Sequence, residues 1–230
     1  MVLTAQLSCA TVQAEYEKGN AAFERGDYAA AFDEWKESAE QGDPKSQYEL
    51  GLLYDNGVGA PRDDVEAVKW YRKSADQGLA AAQNNLGAMY TEGRGVPKDD
   101  KEAAKWYFQA AKQGSLAGLA SLARSYEKGR GVPQDYNLAA ITYLEAAKRG
   151  YAPAQANVGL LYAKNVPGVP QDYSHAYKWI SLAIPNLTGG TQIRLMKSRD
   201  IIASHLTPDE REKMDQIVRD WKPVPPKSGS

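Results

Sequence analysis

The sequence predicts an all-α protein, an α-solenoid of helical hairpins closed by a C-terminal helical cap. Three observations predict it. Tyrosines recur at positions 54, 90, 126 and 162, a constant step of 36 residues. Aspartates at 63, 99, 135 and 172 each open a segment whose apolar residues fall on one stripe of a helix. Glycines at 42, 78, 114 and 150 close second helices of successive units on the same period. A fixed period in this range marks stacked helical units, none of which buries its apolar face alone.

The composition bounds the function. A chain of 230 residues has room for such an array with a continuous core. With 28 Lys and Arg against 29 Asp and Glu, there is no electrostatic case for nucleic acid or an anionic membrane surface. Hydrophobic residues at 43% exclude wholesale disorder. No run of roughly 18 apolar residues exists, so no membrane span is expected. Cys9 is the only cysteine, which excludes an internal disulfide and a CxxC metal site. His175 and His205 are too few for a zinc cage. Neither a metal nor a cofactor is expected.

Residues 1–14 (MVLTAQLSCATVQA) carry no charge and end in Val12-Gln13-Ala14, which fits the small-residue rule for signal-peptidase cleavage. The basic first region of a secretory signal is missing. The segment reads either as a shortened signal peptide, which implies a periplasmic or secreted chain, or as the first turn of the domain, which suits a cytoplasmic one. Gln6-Leu7-Ser8 ahead of Cys9 makes a poor lipobox.

Residues 15–43 form a first, shorter hairpin carrying Gly19-Asn20, Phe23, Gly26-Asp27-Tyr28, Ala31, Trp35 and Ala39, with a tight turn between its helices. Four full units follow over 44–187, at 44–79, 80–114, 115–150 and 151–187. Their first helices carry Gly51-Leu52-Leu53-Tyr54, Gly87-Ala88-Met89-Tyr90, Ala123-Arg124-Ser125-Tyr126 and Gly159-Leu160-Leu161-Tyr162. The small residues mark close approach of the paired helix. A glycine inside a helix otherwise costs about 1 kcal/mol.

Counting from each aspartate, the fourth residue is Ala67, Ala103, Ala139 or Ala176, and the seventh is Trp70, Trp106, Thr142 or Trp179. Trp70 and Trp106 are expected in the core. Asp63 with Glu66 and Asp99 with Glu102 match a capping box, in which each side chain bonds an otherwise unpaired amide. Asp43-Pro44 is a cap followed by proline at the first helical position. Gly57, Gly93 and Gly129 end the first helices, with Asn165 in that place in the fourth unit.

Leu-Gly-x-x-Tyr, then Gly-x-Gly-Val-x-x-Asp, then Ala-x-x-Trp-Tyr-x-x-Ala-Ala-x-x-Gly resembles the Sel-like repeat family, relatives of the tetratricopeptide repeat, and residues 80–114 match it almost throughout. The resemblance spans about 16–185 and implies a right-handed solenoid. It also implies a non-catalytic scaffold or adaptor that binds a protein or peptide on its concave side. Some cysteine-rich relatives are assigned β-lactam-hydrolysing activity, but their hairpins are disulfide-linked, and this chain lacks the cysteines. No enzyme is expected.

After Pro185 the pattern stops. Residues 188–222 read as two capping helices, one with Ile193, Met196, Ile201 and Ile202 as its apolar residues, the next opening at Thr207-Pro208-Asp209-Glu210 and carrying Met214, Ile217, Val218 and Trp221. Such a tail resembles that of many bacterial Sel-like proteins. A covered end favours a monomer over end-to-end stacking. Residues 223–230 (PVPPKSGS) are too rich in Pro, Ser and Gly to pack and are expected to be mobile.

No catalytic set emerges. His175 and His205 have no evident nucleophile beside them in sequence. The Gly-x-Gly loops lack the strand and the GxxxxGK[ST] or GxGxxG context of phosphate binding. The resemblance places the partner face on non-core positions of the first helices. In this chain these are Asn20, Tyr48, Leu52, Asp55, Asn84, Ala88, Thr91, Arg124, Glu127, Lys128, Leu160 and Lys164. The set turns basic toward Arg124, Lys128 and Lys164, which suits an acidic peptide. Asn20 matches one position of the carboxylate clamp of some tetratricopeptide proteins. Tyr16 stands where that clamp has lysine, so no clamp is predicted.

Overall fold

A computed structural model describes residues 2–225, with side chains from residue 12. The side chains of residues 1–11, Cys9 among them, lie outside the described residues, as do residues 226–230. The chain divides into two compact units, Met1–Ser115 and Leu116–Ser230.

The first unit is three helical hairpins: α1 (Val2–Glu24) with α2 (Tyr28–Glu40), α3 (Pro44–Asn56) with α4 (Asp64–Asp76), and α5 (Ala80–Glu92) with α6 (Asp100–Lys112). Each helix packs on the next. Asp43 caps α3 by accepting from the Ser46 amide at 2.6 Å, with Pro44 in the first turn. Asp63 accepts from Val65 and Glu66 amides at 2.9 and 3.0 Å. The expected return half of the capping box is absent. Glu66 turns to Lys69 at 3.0 Å and Glu102 turns to Lys105. The amides those glutamates were expected to satisfy are already taken, because Asp63 and Asp99 donate to the carbonyls of Tyr54 and Tyr90 at 3.0 Å.

The core is built on close approach. A Cβ on Gly51 would stand 2.6 Å from the ring of Tyr71, and one on Gly87 would stand 2.6 Å from Tyr107. Gly19 meets Trp35 in the same way. The rings thus lie against bare helix backbone, which is the reason for glycine inside these helices. The central aromatic is the eighth residue after the aspartate rather than the seventh. Tyr71 is wholly buried and Trp70 is buried beside it, whereas Trp106 is only partly buried, against the expectation for the core. The eighth position points straight at the small residue, and the seventh sits at the edge of that contact.

The second unit holds α7 (Leu116–Lys128) with α8 (Tyr136–Lys148), and α9 (Ala152–Tyr162) with α10 (Tyr173–Ala183). A short 3-10 turn (Ile184–Asn186), α11 (Gly189–Ala203) and α12 (Pro208–Asp220) complete it. Asn165 does not take the left-handed conformation expected of it. Among the described residues no side-chain-bearing residue has positive φ, and Gly168 at φ +78° makes the turn inside a Val166–Val169 bridge.

Both capping helices pack on α10. Leu195 and Ile202 enter the cluster of Ala176, Tyr177, Ile180 and Ile184. Three of the residues expected to cover it, Ile193, Met196 and Ile201, are instead 56%, 42% and 65% exposed. Leu195 and Ile202 lie seven residues apart, two helical turns, so one stripe docks and the flanking apolar residues face out. A full capping box forms where α12 starts. The Thr207 amide donates to Glu210 at 2.8 Å, and the Glu210 amide donates to the Thr207 hydroxyl at 3.3 Å. The segment expected to be mobile from 223 is docked at its start. Val224 donates to the carbonyl of Lys148 at 2.7 Å, and Pro223 lies against Gly150. A free carbonyl at the end of α8 gives the extended segment its partner.

Candidate functional site

The first-helix residues expected to face a partner divide into two kinds. Asp55, Thr91 and Glu127 are one repeat apart, and each serves a buried phenol. Tyr71 donates to Asp55 at 3.2 Å, Tyr107 and Thr91 share a hydrogen bond of 3.0 Å, and Tyr143 donates to Glu127 at 3.2 Å. In the fourth repeat Ile180 takes the phenol's place against Gly159, and the acceptor's place holds Ala163. Phenol and acceptor disappear together because a buried hydroxyl without a partner costs about 1–3 kcal/mol. The tyrosines at 71, 107 and 143 keep the 36-residue step, so the same periodicity that found Tyr54 and Tyr90 would also have found them.

In the first unit, Asn20, Tyr48 and Asn84 lie half-buried on α1, α3 and α5. The Tyr48 ring sits 5.9 Å from that of Tyr71, and Asn85, absent from the expected set, stands beside both phenols. Burial pushes the Tyr48 phenol above its usual range, and the neighbouring Glu49 adds to this. Burial also raises the Glu49 carboxyl. Asp55 pairs with Arg94, which arrives from the loop after α5 and also meets Glu92 at 2.7 Å and Asp64 at 3.3 Å. The hydrogen bond that Arg94 donates to Asp55 is the main cause holding its guanidinium above its ordinary value. Sequence reasoning took Gly93-Arg94-Gly95 as a turn and missed the arginine's role. The turn itself is real: a side chain on Gly95, at φ +65°, would strike the backbone carbonyl of Asp64 at the start of α4.

In the second unit the structure brings Arg124, Glu127, Lys128 and Lys164 together. Glu127 is 13% exposed and lies 3.1 Å from Lys128 and 3.9 Å from Lys164. Arg124 is exposed and stands near the Tyr143 hydroxyl, the same group that donates to Glu127. Burial pushes the Tyr143 phenol up, Glu127 reinforces that, and Arg124 opposes it.

Both histidines and a recurring set of glutamines make contacts within the fold. His175 bonds its own N-cap, Asp172, at 2.7 Å, and His205 stacks on Tyr173 with ring centroids 4.3 Å apart. Gln47, Gln83 and Gln155 recur at repeat spacing and reach the carbonyls of Ala39, Ala75 and Ala147 at 3.1, 3.1 and 3.2 Å, closing the preceding helix. Among the described residues no group of three or more His, Cys, Asp or Glu is placed to hold a metal ion, and no helix is long and apolar enough to cross a membrane.

Four consecutive segments, 44–79, 80–115, 116–151 and 152–184, match the model of the Sel1 repeat. A Sel1 repeat protein from Oxalobacter formigenes is 30% identical, with a TM-score of 0.74 over 92% of this chain and 88% of that one. A protective antigen of uropathogenic Escherichia coli strains, displaying an SLR fold, is also 30% identical, with a TM-score of 0.72 over 96% of this chain. The match takes in 53% of that antigen, so the chain spans about half its length. An immunity protein from Pseudomonas aeruginosa, 19% identical over 94% of this chain and 89% of that one, shares the fold at a TM-score of 0.54. No curated protein matches the chain.

Proposed function

The chain belongs to the Sel1 repeat family, whose members are generally protein-interaction scaffolds, and on that premise we propose that it is a non-catalytic adaptor, a monomer that docks a protein or peptide on faces built by its first helices. One observation carries the reading. At the register of Gly19, Gly51, Gly87, Ala123 and Gly159 the residue is always small, because the paired helix packs there. The very next position reads Asn20, Leu52, Ala88, Arg124 and Leu160, and is held to no single size or charge. Packing dictates the first position, whereas the second stands at the edge of the core, where Leu52 and Leu160 pack with one side and keep part of their surface for a partner.

Photo-crosslinking residues test which face is used. Placed at Leu52, Ala88 and Lys164 they are expected to trap a partner, and placed at the outward second-helix positions Lys69, Lys105 and Glu145 they are not. Adducts confined to the second-helix positions, or none at all, sink the proposal. Export belongs to the same reading. The pattern Val12-Gln13-Ala14 predicts a mature chain starting at Glu15, and intact-mass measurement on protein from its own host reads this directly. A mature chain that retains Val12 to Ala14 contradicts it.

A further inference from the structure

The equivalent carboxylates of the two units stand in different surroundings, acids in the first and cations in the second, and we propose that the α7–α9 face is the docking site for an acidic segment of a partner protein. The proposal rests on the scaffold reading above and names the chemistry of the partner. In the first unit the carboxylate at this register, Asp55, meets Arg94, which is also bound to Asp64 and Glu92. One cation is bracketed by three acids, and nothing basic is left to offer. In the second unit the equivalent carboxylate is Glu127, and three cations surround it. Lys128 and Lys164 both lean on it, and Arg124 stands beside the Tyr143 hydroxyl that holds it.

Glu127 cannot satisfy all three. It is held from below by Tyr143, and among the described residues Arg124 has no carboxylate partner. Lys128 and Lys164 are 51% and 56% exposed, so their ammonium groups are open to a ligand. Arg124 and Lys128 lie one helical turn apart on α7, a spacing that presents both to one strand of ligand. The guanidinium suits a carboxylate held through two parallel hydrogen bonds. Leu160 holds on α9 the register that Arg124 holds on α7, so an apolar contact sits beside the charges. The matching ligand therefore mixes acidic and apolar side chains. A protein segment does so, and a nucleic acid does not.

The test uses the full chain and fluorescence polarisation. The probes are a labelled short peptide of alternating glutamate and leucine, its glutamine–leucine counterpart, and a labelled oligothymidylate of equal charge. The glutamate peptide is expected to bind roughly tenfold tighter than the glutamine peptide and to weaken as salt is raised. Arg124→Glu with Lys128→Glu should cost about another tenfold, at unchanged helicity and melting temperature. Lys69→Glu with Lys105→Glu, the same change in charge on outward positions, should leave binding intact. Equal binding of both peptides, no loss in the Arg124/Lys128 variant, or tighter binding of the oligothymidylate overturns the proposal. If the glutamate peptide fails while crosslinks still form at Leu52 and Ala88, the acidic-partner inference falls and the scaffold reading stands.

Discussion

Tyr143 reaches out from the core of the second unit to donate a hydrogen bond to Glu127 at 3.2 Å, and this one contact joins the packing of the repeat to its charged face. The phenol is wholly buried at its ring end, and the carboxylate it holds is the one that Lys128 and Lys164 share. Tyr71 and Asp55 repeat the arrangement in the first unit.

The pair should behave as a unit. Tyr143→Phe is expected to cost about 1 kcal/mol, and Glu127→Ala about 1–3 kcal/mol, because it leaves a buried hydroxyl without an acceptor. The double variant should cost less than the sum by at least about 0.5 kcal/mol. Urea denaturation of the four proteins measures this. Strict additivity would show that the two residues are energetically independent.

Gly51→Ala and Gly87→Ala test the close approach. Each added methyl meets a buried ring at 2.6 Å, so a loss of about 1–3 kcal/mol is expected despite the better helix propensity of alanine. Thermal melting reads the sign. A gain in stability would mean that the helices part at no cost.

Much of this fold is legible in the sequence because each repeat restates the same constraints. The 36-residue step, the aspartate caps and the left-handed glycines are local signals, and the structure shows Asp63, Asp99 and Gly57 doing what their positions suggest. Long-range polar partners leave no such trace. Arg94 and Asp55 are 39 residues apart, and nothing in a Gly-Arg-Gly loop announces its carboxylate. The cap is harder still. Ile193, Leu195, Met196, Ile201 and Ile202 spread around much of α11, and without a repeat to compare it with, periodicity alone does not say which stripe docks.

That docking choice is measurable. Leu195→Ala should cost about 2–5 kcal/mol, as for a buried leucine, whereas Ile193→Ala, at 56% exposure, should stay within about 0.5 kcal/mol. The reverse order would mean that α11 docks through its other stripe.

Alkaline pH gives an independent reading of the core. Burial raises the phenols of Tyr48, Tyr71, Tyr143 and Tyr177. In the unfolded chain a phenol ionises near pH 10, whereas the fold favours the neutral form. Their contribution to stability is therefore complete below about pH 10 and is lost as pH rises above it. Phenolate absorbance followed alongside helical circular dichroism should show these tyrosines ionising together with unfolding. Full ionisation while the helices persist would contradict their burial.

The most direct test of the central claim is the set of partners captured by the intact chain and by the Arg124→Glu, Lys128→Glu variant, compared at equal folded stability. Partners held by the intact chain are expected to be lost from the variant. A variant that keeps them all, or an intact chain that holds none, contradicts it.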